Sequence, residues 1–252
     1  MPSGFRIELR GVTHRFGRSG AAALEVSSLE IAPAERVAVI GRSGCGKSTL
    51  LQIIAGLTKP SVGSVAIDGV EVRAPSPLCT LMFQRPLLFP WLTVAENIAL
   101  ALRFAGRAGE APARVARLLT LVGLEGRGQA RVAELSGGQQ QRAALARSLA
   151  VEPRALLLDE PFSALDAVTR AELRHEIRTV LDAFSITFVL VTHDVDDALE
   201  LADRVVVMAR APGRIIDDIS IPAALDAARR AALRARLIDS LEPEPAPFAL
   251  SA

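Results

Sequence analysis

Residues Gly41-Arg42-Ser43-Gly44-Cys45-Gly46-Lys47-Ser48-Thr49 follow the spacing GxxxxGK[ST]. Glycines at those positions let successive backbone N–H groups converge on a phosphate, and a helix starting at Lys47 presents its positive end to the same anion. Lys47 then reaches the β- and γ-phosphates of a nucleotide, and the Ser48 hydroxyl ligates Mg²⁺. Lysine occurs only at positions 47 and 59 among 29 basic residues, so its placement inside this loop is selective. A glycine-rich turn with an incidental lysine is the competing reading. The apolar strand before the loop and the amphipathic helix after it argue against that.

Two further segments carry chemistry. Ala155-Leu156-Leu157-Leu158-Asp159-Glu160-Pro161 is an apolar strand ending in two acids. Asp159 is placed to hold Mg²⁺ through water, and Glu160 to orient and deprotonate an attacking water. Alone, a buried strand ending in acids is common; beside a phosphate loop it is the expected partner. Leu135-Ser136-Gly137-Gly138-Gln139 opens a second helix with a serine and two glycines, which makes another anion-binding N-terminus. One nucleotide needs one such cradle. A second suggests that it serves a nucleotide bound to another copy of the chain; a plain glycine-rich N-cap is the alternative.

Patterning places these residues on an α/β scaffold. Phe5–Val12 and Leu24–Ile31 alternate like antiparallel strands, and Arg36–Ile40 is a compact apolar strand. Lys47–Leu57 has helical spacing; Val65–Val72 reads as a hairpin around Asp68-Gly69, and Thr80–Phe83 as a short strand. Helical segments dominate from Gln84 to Pro153: Val94–Ala105, Pro112–Gly123 and Gly138–Val151. The β/α rhythm then returns with strand Ala155–Leu158, helix Asp166–Phe184, strand Thr187–Thr192, helix Val195–Leu201 and strand Arg204–Met208. A helical piece is thus expected inside an α/β core. The ending Glu242–Pro247 reads as a frayed, proline-rich tail, leaving no room for a regulatory domain.

Composition bounds the rest. The chain has 252 residues, half of them hydrophobic and 23% charged, which excludes wholesale disorder. A net charge of +1 gives no general pull toward nucleic acid or anionic lipid. The two cysteines, Cys45 and Cys79, fit neither a disulfide framework nor a CxxC metal site. No signal peptide and no membrane span is expected, so the chain reads as soluble and resident in a reducing compartment. Its positive mean hydropathy, +0.31, comes from Ala, Leu and Val; a buried core explains most of it and an apolar docking surface the rest.

Leu135–Gln139, continuing as Gln140-Gln141-Arg142, resembles the signature motif of the ABC ATPases, and the resemblance extends from Phe5 to about Ser220 with the family's motifs in order. It implies an α/β fold: a P-loop NTPase core with a RecA-like mixed sheet, an antiparallel β subdomain and an inserted α-helical subdomain. A single domain is expected over 1–252, with core 1–84 and 154–220, helical subdomain 85–153, and C-terminal helix and tail 221–252. Gln84 resembles the Q-loop glutamine that meets Mg²⁺ and the attacking water. Ser163-Ala164-Leu165-Asp166 resembles the D-loop, although Asp166 equally suits a helix N-cap. His193, in Val191-Thr192-His193-Asp194, resembles the switch histidine at the γ-phosphate. Phe16 occupies the position where an aromatic stacks on adenine; the chain has no Tyr, and Phe keeps the π-face. A core phenylalanine is the competing reading. His14 and His175 read as surface residues. Cys45, beside a helix N-terminus, is expected to favour the thiolate and to be shielded by ATP.

The expected cofactors are therefore ATP and Mg²⁺, bound between Gly41–Thr49 of one copy and Ser136–Gln139 of a second, in a head-to-tail dimer. About 95 residues separate Gly41 from Ser136, too few for the coiled-coil insertion of related DNA-repair ATPases. Pro86-Leu87-Leu88-Phe89-Pro90-Trp91-Leu92-Thr93-Val94 and Ala211-Pro212-Gly213-Arg214-Ile215 resemble stretches of nitrate, sulfonate and taurine importer subunits. That implies separate transmembrane permease subunits, a solute-binding protein acting with them, and a peripheral cytoplasmic location on the membrane's inner face. The first stretch suits a groove edge for a permease helix, or else Trp91 packs inside the helical segment. Rival readings are a soluble non-transport ABC ATPase, an exporter subunit and a small-molecule kinase; the last leaves Ser136–Gln139 without a role.

Overall fold

The computed structural model describes residues 4–17, 20–210, 212–222 and 224–241. Strands β1 (Ile7–Arg15), β2 (Ala22–Ile31), β4 (Val62–Ile67) and β5 (Val70–Glu71) make a four-stranded antiparallel sheet in the order β2-β1-β4-β5. The β4–β5 turn is Asp68-Gly69, with φ of 48° and 78°, the left-handed pair that a two-residue hairpin requires. The second sheet holds β3 (Arg36–Gly41), β6 (Cys79–Met82), β7 (Ala155–Asp159), β8 (Thr187–Thr192), β9 (Arg204–Ala209) and β10 (Arg214–Ser220). Its order is β10-β9-β3-β8-β7-β6, parallel except for β10.

That sheet is buried on both faces, which is why β3, β7 and β8 read as unbroken apolar runs. Alternate residues feed two clusters. Ala38, Ile40, Leu156, Leu158 and Leu190 face the helices, whereas Val37, Val39, Leu157, Val189 and Val191 pack with the small sheet and with α1 (Lys47–Ile54). On the helical side lie α2 (Val94–Phe104), α3 (Ala111–Leu121) and α4 (Gly137–Leu149), which touch one another, then α5 (Ala167–Ala183), α6 (Val195–Leu201) and α7 (Ala227–Leu241). Among the described residues no helix is long and apolar enough to cross a membrane.

Several local expectations need correction. The helix expected to reach Leu57 stops at Ile54, because Gly56 turns left-handed at φ 72° just past its end. Arg214–Ser220 forms a strand that the pattern does not announce. His14, expected at the surface, is buried, with its ring nitrogen on the Lys59 carbonyl; His175 is exposed. Glu242–Pro247 and Ala211 lie outside the described residues.

Candidate functional site

The topology delivers chemistry to one edge. In the lateral order β3-β8-β7-β6, the strands end at Gly41, at Thr192 before His193, at Asp159, and at Met82 two residues before Gln84. Four separate sequence segments thus converge at the carboxyl ends of parallel strands, where open α/β sheets hold their ligands. A cleft of about 340 Å³ opens there, bounded by Phe16, Ser43, Lys47, Ser48, Gln84 and Glu160, with Gly44, Gly46 and Thr49 also in its wall.

Residues 41–49 turn on glycines with left-handed backbones, Gly44 at φ 78° and Gly46 at φ 94°. Gly46 caps α1, so the first N–H groups of that helix face the loop. Lys47 is buried, and its Nζ donates to the carbonyls of Gly41 at 2.7 Å and Arg42 at 3.2 Å. It also lies 3.9 Å from Glu160 Oε1. The Ser48 hydroxyl donates to Asp159 Oδ1 at 3.0 Å, joining α1 to the end of β7. Asp159 is buried, and burial pushes its carboxyl above the ordinary carboxylate range despite the Ser48 hydrogen bond.

Glu160 is the next residue, held at φ 45° while its N–H donates to the Val191 carbonyl at 2.8 Å. A left-handed backbone at a non-glycine residue stores strain and is tolerated only where neighbours enforce it. Here it turns the carboxylate away from the sheet, between Lys47 and His193, whose Nδ1 stands 3.4 Å from Glu160 Oε2. Gln84 Nε2 donates to Ser163 Oγ at 3.1 Å, and that hydroxyl donates to the Glu160 carbonyl at 3.0 Å. The arrangement can grip phosphates, hold a hard cation on oxygen donors and accept a proton from water beside it.

Ser136, Gly137, Gly138, Gln139 and Asp166 do not line this cleft. Ser136 caps α4, accepting from Gln139 N–H at 3.3 Å while Gln139 Oε1 accepts from Ser136 N–H at 3.0 Å. Ser136 and Gly137 face solvent. Asp166 caps α5, its Oδ1 accepting from the Val168 and Thr169 N–H groups at 3.0 Å each. Gly138 packs on the first turn of α5: a Cβ there would lie 2.1 Å from Thr169 Cγ2.

Phe16 is 65% exposed, which overturns the core reading. Cys45 requires the opposite correction. Its side chain is fully buried in the core, and burial raises the thiol above its ordinary value, outweighing Lys47 and the helix N–H groups. Trp91 is 66% exposed, so it does not pack inside the helical segment. The loop that carries it is held from beneath: Asn97 accepts from Phe89 N–H at 2.8 Å, and Arg147 donates to the carbonyls of Pro86 and Leu87 at 2.7 Å each. Arg131 holds the Trp91 carbonyl.

Three residues inside the named motifs make contacts that the sequence does not assign. Gln141 donates to the Gln84 carbonyl at 2.8 Å, and Ser163 bridges Gln84 to Glu160. Gly213 packs against the phosphate loop. The Gly in Pro212-Gly213 was a visible signal; its contact is long-range and was not.

Comparison with known proteins identifies the family. A family model described as "ABC transporter" matches residues 24–163. The aliphatic sulfonates import ATP-binding protein SsuB 2 of Burkholderia lata is 48% identical over 218 residues, covering 85% of this chain and 79% of that protein. The taurine import ATP-binding protein TauB of Mesorhizobium japonicum is 46% identical over 197 residues, 78% of this chain and 77% of that protein. The bicarbonate transport ATP-binding protein CmpC of Synechocystis sp. is 48% identical over 200 residues, 78% of this chain but 30% of that longer protein. A solved dimer of the ATP-binding cassette MJ0796 bound to ADP and Pi, a post-hydrolysis state, superimposes with a TM-score of 0.77 at 32% identity, covering 86% of this chain and all of that one.

Proposed function

This chain belongs to the ABC transporter family of ATP-hydrolysing subunits, and from that membership we propose that it powers the uptake of a small anionic or polar solute through separate permease subunits. The observation that carries the reading is the convergence of Lys47, Ser48, Asp159, Glu160 and His193 on one strand edge, together with identity near one half to sulfonate and taurine import subunits. The dimeric neighbour supports pairing of two copies; they meet head to tail, and the Ser136–Gln139 segment of each, with Ser136 and Gly137 open to solvent, covers the nucleotide of the other.

Each residue then has a task. Lys47 and the N–H groups of 44–49 grip the β- and γ-phosphates, and Phe16 stacks on adenine. Ser48 and Asp159 present adjacent hard oxygens, with Gln84 on the same wall; that oxygen donor set fits Mg²⁺. Mg²⁺ bound there would neutralise charge on the phosphates. Glu160 takes the proton from the attacking water, whose oxygen forms the bond to the γ-phosphorus as the bond to ADP breaks. His193 steadies the Glu160 carboxylate and reaches the γ-phosphate. Asp166 borders the partner copy. Closing the dimer around two nucleotides turns the permease outward, and hydrolysis releases it, a ligand-driven population shift. A solute-binding protein delivers the cargo to the permease from the far side.

The exposed Leu87, Phe89 and Trp91 supply the permease contact. A pull-down from native membranes with the Glu160→Gln chain and ATP tests this. The proposal expects a polytopic membrane protein that disappears when Trp91→Glu is added; recovery of soluble proteins or nucleic acid alone would overturn the transport role.

A further inference from the structure

His14 has no part in the chemistry above, yet its surroundings are specific. The ring is 8% exposed, and Nδ1 lies 3.1 Å from the Lys59 carbonyl oxygen. A carbonyl only accepts, so Nδ1 carries the hydrogen and the tautomer is fixed. Lys59 belongs to the segment that leaves α1, the helix whose other end forms the phosphate loop. The His14 hydrogen bond therefore ties β1 to the segment that follows that helix.

The imidazole also meets the Phe16 ring, with centroids 4.8 Å apart and planes at 83°. Phe16 lies past the end of β1 on the cleft wall, and most of its surface is open. An aromatic ring that exposed loses little by rotating, unless a neighbour restrains it. The restraint here comes from a buried, hydrogen-bonded ring. The chain around it is pinned as well. The β1–β2 register shifts between His14 and Arg15, Arg15 N–H donates to Ser61 Oγ at 3.0 Å, and the Arg15 guanidinium donates to the Gly20 carbonyl at 3.2 Å. Bulges of this kind re-aim the side chains that follow them.

We propose that His14 is a positioning residue for ATP, holding the Phe16 ring at a fixed place over the phosphate loop so that adenine meets a preorganised face. The inference rests on the reading of Phe16 as the adenine platform. Preorganisation lowers the cost of binding without touching the reacting atoms. Removing the His14 ring therefore raises the Michaelis constant for ATP and leaves kcat alone.

The test uses the full chain and four variants: His14→Ala, His14→Asn, Phe16→Ala and the double variant His14→Asn with Phe16→Ala. Asn keeps a donor for the Lys59 carbonyl while deleting the ring, so it reports on the ring even where Ala weakens folding. Phe16→Ala is expected to raise the ATP Michaelis constant about tenfold, the scale of one lost base–aromatic stack. His14→Asn is expected to raise it about three- to fivefold with kcat within about twofold of the parent. In the double variant the constant should equal that of Phe16→Ala alone, because His14 acts only through that ring. An unchanged constant in His14→Asn, or effects that multiply in the double variant, would overturn the proposal. An unchanged constant in Phe16→Ala would instead remove the adenine platform itself, and the role of His14 with it.

Discussion

Gly213 and Cys45 stand so close that a Cβ on Gly213 would lie 2.0 Å from the Cys45 carbonyl oxygen. The contact joins the β9–β10 connection to the phosphate loop, and Gly213 is further fixed by hydrogen bonds to both sides of the β2 edge: its N–H donates to Ala23 O at 3.1 Å, and its carbonyl accepts from Glu25 N–H at 2.7 Å. Backbone meets backbone, so neither side can yield cheaply. Gly213→Ala should displace the loop and weaken ATP binding about tenfold or more, since misplacing a positioning group by an ångström costs that much or greater. Gly109→Ala is the control, because a Cβ there meets nothing within 4 Å. Equal ATP affinity in the two variants, by equilibrium titration, would contradict the backing role.

The exposed apolar loop gives a second expectation. Trp91 contacts Phe89 at a centroid distance of 5.3 Å but is otherwise largely open. Substitution by Glu should change stability little, within the roughly 0.5 kcal/mol usual for surface changes. Basal ATP turnover should stay at the parent level while solute uptake by cells carrying the variant is lost. A chain that no longer folds would show that Trp91 is a packing residue.

Buried carboxylates set a pH signature. Burial pushes Glu176 up to about 7 from an ordinary 4.5, outweighing Arg142, which Glu176 shares with Glu172. Its Oε2 is buried with no hydrogen-bond partner, a natural place for the proton. Between those two pH values the folded chain holds a proton that the unfolded chain has released. Stability from this group is therefore complete below pH 4.5 and lost as pH rises toward 7. Glu176→Gln should flatten that part of the profile, so thermal melts at pH 5 and pH 7.5 should differ less in the variant than in the parent. Parallel profiles would place the titration elsewhere.

Burial also decides the reactivity of Cys45. A thiol fully inside the core, raised by desolvation, should react with a soluble alkylating reagent far more slowly than a free thiol, with or without ATP. Rapid labelling that ATP suppresses would restore the thiolate expectation.

How much of this was legible in the sequence differs by residue. Gly41–Thr49 is legible because the phosphate loop is a backbone shape, and backbone shape at left-handed positions is written as glycine. Asp159 and His193 are legible because strands buried on both faces are continuous apolar runs, so the polar residues that close each run, Asp159 in one and Thr192-His193 in the other, mark the strand end. The side-by-side order β3-β8-β7-β6 is not written locally, since each neighbour comes from a distant part of the chain. His14 illustrates the same limit. The inward alternation of Ile7 and Leu9 shifts by one residue at Gly11, so Val12 and His14 turn inward, and the segment leaving α1 lies over the His14 ring. Trp91 is legible only as a choice between a groove edge and a packed side chain, and its exposure bears out the first. Hydrophobicity alone argues for burial, and only Asn97, Arg131 and Arg147, reaching from α2, the segment before α4 and α4, hold its loop outward. The strand β10 was invisible because its Asp217-Asp218 pair interrupts any clear alternation.

Glu160, set by its strained backbone between Lys47 and His193, is the group we propose takes the proton from the attacking water. Gln at this position keeps the shape and loses the base. Steady-state turnover of Glu160→Gln, measured with light scattering on the same sample, tests it directly. Turnover should fall about 10²- to 10⁴-fold, the usual contribution of a general base, while ATP binding persists and a dimer accumulates. Turnover near the parent level would mean that the water is activated by another group.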